Sequence, residues 1–148
     1  MGLDMYLTKK TFIWSDWTNE GKRDLSKITL PEKYKDIKPE RINNISEEVA
    51  YWRKANHIHK WFVDNVQKGK DDCESYYVDK EQLQELVTLC QKVLDKELIP
   101  EDNLPCQSGF FFGGTDYDEY YFQTLENTIK QLTPLLEEEG DFYYSSSW

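Results

Sequence analysis

Two apolar stripes at helical spacing and one apolar alternation constrain this chain more than anything else in its sequence. Leu83, Leu86, Val87, Cys90, Val93 and Leu94 recur at three and four residues, as do Tyr117, Tyr121, Leu125, Ile129, Leu132 and Leu136. That spacing puts each set on one face of a helix, and each face must be buried against another element. Leu3, Met5 and Leu7 instead alternate with Asp4, Tyr6 and Thr8, the period of a strand with one covered face. Stripes of both periods in 148 residues imply one α+β domain with a core that closes without disulfides or metal.

The boundaries follow from local chemistry. Asp79 with Gln82 forms a capping-box-like helix start, and Pro100 closes the helix predicted over residues 79–97. Thr115 is the expected cap of a helix over residues 116–137, which Pro134 interrupts near its end. A further helix is expected over residues 46–67, capped by Asn44 or Ser46, with Glu47 and Glu48 favouring its N-terminus and residues 68–72 ending it. Residues 3–14, 75–78, 110–112 and 141–148 read as extended. Residues 15–44 read as a long polar loop broken by Gly21, Pro31 and Pro39, its apolar anchors being Leu25, Ile28, Leu30, Tyr34 and Ile37. The predicted architecture is three principal helices packed on a small, mostly antiparallel sheet, one globular domain over residues 1–148.

Charge excludes some function classes. With 28 acidic against 18 basic residues the chain carries a net charge of −10. General affinity for nucleic acid or anionic membrane needs clustered Lys and Arg, so neither is expected. No apolar run approaches the roughly 20 residues that cross a bilayer, and the start of the chain lacks the apolar region of a signal peptide. Cys73, Cys90 and Cys106 form no CxxC pair and leave an odd thiol, which fits a reducing cytoplasm. Cys90, within a stripe, reads as core.

Polar chemistry concentrates in Tyr51-Trp52-Arg53-Lys54-Ala55-Asn56-His57-Ile58-His59-Lys60-Trp61-Phe62, which holds cations, both histidines, an amide and four aromatics. Wrapped on a helix, His59 falls on the apolar arc, Asn56 at its edge and Trp61 among the charges, half covered by the preceding loop. A buried amide and imidazole need partners, because each unpaired group costs about 1–3 kcal/mol. They are either satisfied core groups or the polar wall of a pocket rimmed by Arg53 and Lys60. The second constellation, from Gln107 through Ser108, Gly109 and residues 110–114 to Asp118, combines a Gly-Gly turn with a helix start. Its free N–H groups suit an anion, although Asp116, Asp118 and Glu119 oppose one. Tyr117, Tyr120 and Tyr121 beside it offer stacking faces and phenols.

Catalytic and metal patterns are absent. His57 and His59 point about 200° apart on a helix and cannot chelate one ion, and no GxSxG or HExxH occurs. Asp71, Asp72 and the run of Glu137, Glu138 and Glu139 read as solvated charge. No cofactor and no catalytic residue is assigned.

Three stretches together resemble a family of small, uncharacterised proteins of bacteriophages and prophages. They are residues 1–7, residues 51–56 with Ile58, His59, Trp61 and Phe62, and residues 108–113 with residues 117–120. The resemblance spans most of the chain and implies an accessory protein acting in the cytoplasm of a bacterial host cell. No catalytic residues or cofactor come with it. By analogy of setting, small proteins of that origin often counter host defence by sequestering a signalling nucleotide or blocking a defence protein.

The expected function is therefore non-enzymatic binding of a small anionic or nucleotide-like ligand. Arg53 and Lys60 would neutralise phosphate, Asn56 and His59 would bond a base or sugar, and Trp52 with Tyr117 or Tyr120 would stack. Ser108 and Gly109 belong to the same expected site, and self-association into a homo-oligomer is compatible with this reading. The alternatives are an acidic inhibitor of a host protein, binding it directly or mimicking DNA, and a hydrolase or transferase built on His59.

Overall fold

The computed structural model describes residues 2–14 and 29–148. Its elements in chain order are β1 (Asp4–Phe12), β2 (Asn44–Arg53), α1 (Asn56–Asn65), β3 (Tyr76–Val78), α2 (Lys80–Leu94), α3 (Pro100–Asn103), α4 (Glu119–Leu132) and β4 (Asp141–Ser147). The strands form one antiparallel sheet of order β2-β1-β4-β3. The alternation that begins at Leu3 places Met5 and Leu7 on its covered face, joined by Ala50, Trp52, Val78, Phe142 and Tyr144. Phe62 of α1, Leu83 and Leu86 of α2 and Leu125 and Leu132 of α4 complete one core against that face. Phe62 stacks flat on Tyr144 with ring centroids 3.9 Å apart. The fold is α+β, and among the described residues no helix is long and apolar enough to cross a membrane.

The two stripes behave as their spacing dictates. Asp79 accepts from the Gln82 backbone at 2.8 Å while the Gln82 side chain accepts from the Asp79 backbone, a complete capping box at the start of α2. Cys90 is fully buried, and burial pushes its thiol up to about 12. Pro134 falls in the first turn of the 3-10 segment Thr133–Glu137 that follows α4, where its missing N–H costs least.

Several boundaries differ from the sequence reading. The helix expected over residues 46–67 is half strand: β2 occupies its first part and α1 begins only at Asn56. Ala50 and Trp52 are buried and Tyr51 and Arg53 exposed, a period of two. β2 pairs with β1 from Asp4↔Arg53 to Phe12↔Asn44, with a register shift between Leu7 and Thr8. Neither Asn44 nor Ser46 caps a helix, since both are strand residues; Ala55 precedes α1 with no side-chain cap. Residues 110–112 form no strand. Phe112 N–H bonds Gly109 carbonyl at 3.1 Å in a turn with Phe111 at φ 65°, and Leu3 N–H to Phe111 carbonyl ties that turn to the sheet. Asp118, not Thr115, caps α4, accepting from Tyr121 N–H at 3.1 Å. α2 stops at Leu94, and Pro100 opens α3 rather than closing α2. Trp61 is buried, packed edge-on against Phe62. Within the predicted loop, residues 29–43 include two 3-10 turns, Glu32–Tyr34 and Pro39–Arg41, while Gly21, Leu25 and Ile28 lie outside the described residues.

Candidate functional site

The strand-to-helix junction at Arg53 to Asn56 organises everything nearby. Lys54 takes φ 54°, which turns the chain out of β2, and its N–H bonds Leu3 carbonyl at 2.7 Å. Asn56 then staples the 107–114 loop to α1. Its amide donates to Phe112 carbonyl at 3.1 Å and Gly114 carbonyl at 2.8 Å, and its oxygen accepts from Gln107 N–H at 2.9 Å. Close approach sets the composition of that loop: a Cβ on Gly113, whose φ is 91°, would lie 3.0 Å from Lys54 Cβ.

Both histidines are bound into the interior. An ionised Asp71 can only accept, so His59 Nε2–H donates to Asp71 at 3.0 Å and Nδ1 accepts from Tyr144 hydroxyl at 2.6 Å. Trp148 Nε1–H donates to the other Asp71 oxygen at 3.0 Å. Asp71 is thus a half-buried anchor rather than the solvated charge expected, and Asp72 accepts from Tyr76 hydroxyl at 2.7 Å. Thr124 Oγ1 spends its proton on Tyr121 carbonyl, so the contact with His57 is Nε2–H donating to Thr124. Burial pushes His57 down to about 4 and lowers His59 as well, Asp71 partly opposing the second shift. Both imidazoles are neutral near pH 7.

These bonds separate the residues expected to share a site. Trp52 is buried, its Nε1–H donating to Thr128 Oγ1 at 2.9 Å, and offers no stacking face, because a strand rather than a helix carries it inward. Both His59 nitrogens and both Asn56 amide protons are engaged, Asn56 Oδ1 already accepts one bond, and both side chains are buried. Lys60 pairs with Asp64 at 2.8 Å on the exposed side of α1. Ser108 and Gly109 are exposed in the loop, where a Gly109 Cβ would meet the Phe112 ring at 2.5 Å. Tyr117 is half-buried, its hydroxyl accepting from Cys106 N–H at 3.1 Å. Of the expected site residues, Arg53 and Tyr120 meet on one groove with the buried Trp52 at its base, the Tyr120 hydroxyl donating to Arg53 carbonyl, and Asn56 shares only a small recess with Tyr120.

Two recesses flank this junction. The first, about 70 Å³, is lined by Lys54, His57, Cys106, Asp116, Asp118 and Tyr121 among others. That is room for a few waters and well under the roughly 300 Å³ of a small-molecule site. Burial raises the Cys106 thiol and lowers His57, so the arrangement does not generate a thiolate at neutral pH. Among the described residues no group of three His, Cys, Asp or Glu is placed to hold a metal ion.

The second recess is an open groove of about 310 Å³ between the edge of β2 and α4, walled by Tyr51, Arg53, Tyr120, Gln123 and Asn127. Gln131 of α4 closes the strand edge just beyond it, accepting from Tyr51 N–H at 2.9 Å and donating to Tyr51 carbonyl at 3.1 Å. The Tyr51 hydroxyl donates to Asp4, which raises its pKa, and burial raises that of Tyr120. Arg53 pulls both phenols the other way, so its guanidinium charge is felt by both. Among the described residues no carboxylate pairs with Arg53, and no hydrogen bond occupies the Asn127 amide. The sequence reading missed Tyr51, Gln123 and Asn127. Their signal was available: Tyr51 and Arg53 alternate with buried neighbours, and Gln123 and Asn127 stand four residues apart on one face of α4.

A scan against family models, a search of curated proteins and a search of solved structures each return no match for this chain.

Proposed function

We propose that the chain is a non-enzymatic binding protein that takes a small anionic, nucleotide-like ligand in the groove between β2 and α4. The observation that carries this reading is the Arg53 guanidinium, unpaired among the described residues, on a groove it shares with Tyr51 and Tyr120 and near enough to both phenols for its charge to lower their pKa values. A guanidinium binds phosphate or carboxylate through a planar fork, and a neighbouring phenol ring gives a planar group a face to rest on. Asn127, its amide unbonded among the described residues, supplies directional bonds from the α4 side of the groove. The resemblance to phage and prophage proteins gives the setting: an accessory protein in the bacterial cytoplasm that sequesters a host defence signal.

Calorimetry against mono-, di- and cyclic nucleotides tests the reading. Arg53→Ala weakens the bound member by about 1.5–3 kcal/mol, the worth of a hydrogen bond to a charged group, and Arg53→Lys restores part of it. Asn127→Ala weakens it less, and Lys60→Ala leaves it unchanged because Lys60 lies on α1 away from the groove. Failure of every member of the panel to bind the wild type would overturn the proposal and favour the acidic-inhibitor alternative.

A further inference from the structure

The charge of this chain is unevenly divided. Residues 1–43 hold nine Lys and Arg against seven Asp and Glu, whereas residues 44–148 hold nine against twenty-one. The positive part includes residues 12–14 and 29–43, the described residues beside the Phe12↔Asn44 end of the sheet, together the arm. On it Phe12, Trp14, Tyr34 and Ile37 stay 51%, 79%, 43% and 46% exposed. Phe12 and Trp14 pack edge to face, and Lys33 lies over the Tyr34 ring at 4.9 Å. Lys33, Lys35, Lys38 and Arg41 stand exposed on the stretch around Ile37, outnumbering Glu32, Asp36 and Glu40 by one. Large apolar side chains left exposed beside one end of the sheet mark an interaction surface.

The negative part carries a matching recess. Val93, Leu94, Leu98, Ile99, Pro100 and Phe122 line an apolar groove of about 440 Å³ where the end of α2, the start of α3 and the first turn of α4 meet. Ile99 is 60% exposed. Apart from Lys92 and Lys96, the charged residues flanking this lining in sequence are Asp95, Glu97, Glu101 and Asp102, all exposed. Arm and groove lie at opposite ends of the molecule. The Tyr120 bond to Arg53 fixes the start of α4 at one end of β2, and the arm departs from the other, about 30 Å away for ten strand residues.

We propose that this groove is a self-recognition site: the arm of one copy seats Ile37 and its aromatic neighbours in the groove of a second copy, with the arm cations facing the carboxylate rim. The occupant is a second copy because apolar and charged groups complement each other between these two surfaces of the same chain. Contact between unlike surfaces is heterologous, so it closes as a ring or a reciprocal pair, or else extends head to tail.

Sedimentation velocity over a concentration series tests the proposal. The wild type gains mass with concentration. Ile37→Asp, which spoils the arm, and Ile99→Asp, which spoils the groove, each weaken self-association by about tenfold or more, as loss of a central apolar anchor does. Both positions are exposed, and circular dichroism verifies the fold; the charge reversals Lys38→Glu and Arg41→Glu weaken association by a second route. The decisive arm is the equimolar mixture of Ile37→Asp and Ile99→Asp, which keeps one intact arm–groove pair and forms a complex of one copy of each. A wild type that stays monomeric throughout overturns the proposal, as does a mixture no better associated than its components.

Discussion

The inward and outward sides of residues 51–60 carry similar chemistry and do opposite work. On the inward side Trp52, Asn56, His57 and His59 spend their polar atoms on partners from α4, the 107–114 loop, Asp71 and Tyr144. On the outward side Arg53 shares a groove with two phenols and with the Asn127 amide, which is unengaged among the described residues. A polar cluster in sequence is therefore not a polar site in space. What separates structure from candidate function is where hydrogen-bonding capacity remains.

Changes on the inward side should be expensive, and the largest expected effect comes from the core that this side faces. Leu125→Ala removes a fully buried side chain and should cost about 2–5 kcal/mol in urea melts through lost burial and a residual cavity. A smaller loss would mean that α4 packs loosely and that the groove wall it forms is not fixed.

Acid sharpens the comparison next. His57 titrates near 4 when folded and near 6.5 when unfolded, so between those values the unfolded chain binds more protons. Its contribution is fully present above about pH 6.5 and is lost as pH falls toward 4, amounting to about 3 kcal/mol. His59 is shifted in the same direction by burial. His57→Asn should flatten the fall in stability over that window, whatever its effect at neutral pH. An unchanged slope would mean that His57 is open to water.

Asn56→Ala should follow, at about 1–3 kcal/mol, because it strands two carbonyls and an N–H of the 107–114 loop. Amide exchange in that loop should accelerate. Arg53→Ala should be the smallest, within about 0.5 kcal/mol of wild type, since an exposed side chain that pairs with no carboxylate among the described residues holds little structure. Parity between Arg53→Ala and Asn56→Ala in melts would erase the distinction between the two sides.

The fold was legible where burial depends on local pattern. The stripes of α2 and α4, the Asp79–Gln82 box and the alternation of β1 are each contained in a few neighbouring residues. β2 was not, because Val49, Tyr51, Trp52 and Ala55 satisfy a helical arc as readily as a strand. The choice between them was made by β1, whose free edge β2 completes. The site was less legible for the same reason. The partners that occupy Asn56, His57 and His59 lie between 12 and 85 residues away, and no local pattern reports them. Arg53 and Tyr120 were legible as ligand-type residues, and their meeting depends on α4 lying along the β2 edge.

The central claim is that ligand recognition resides on the outward side alone. Calorimetric titration of Arg53→Ala and Asn56→Ala, both folded and well below their melting temperatures, with the nucleotide that wild type binds, tests it most directly. The account predicts that Arg53→Ala loses about tenfold or more in affinity while Asn56→Ala, though less stable, binds nearly as wild type does. The reverse result, with Asn56→Ala abolishing binding and Arg53→Ala leaving it intact, would contradict it.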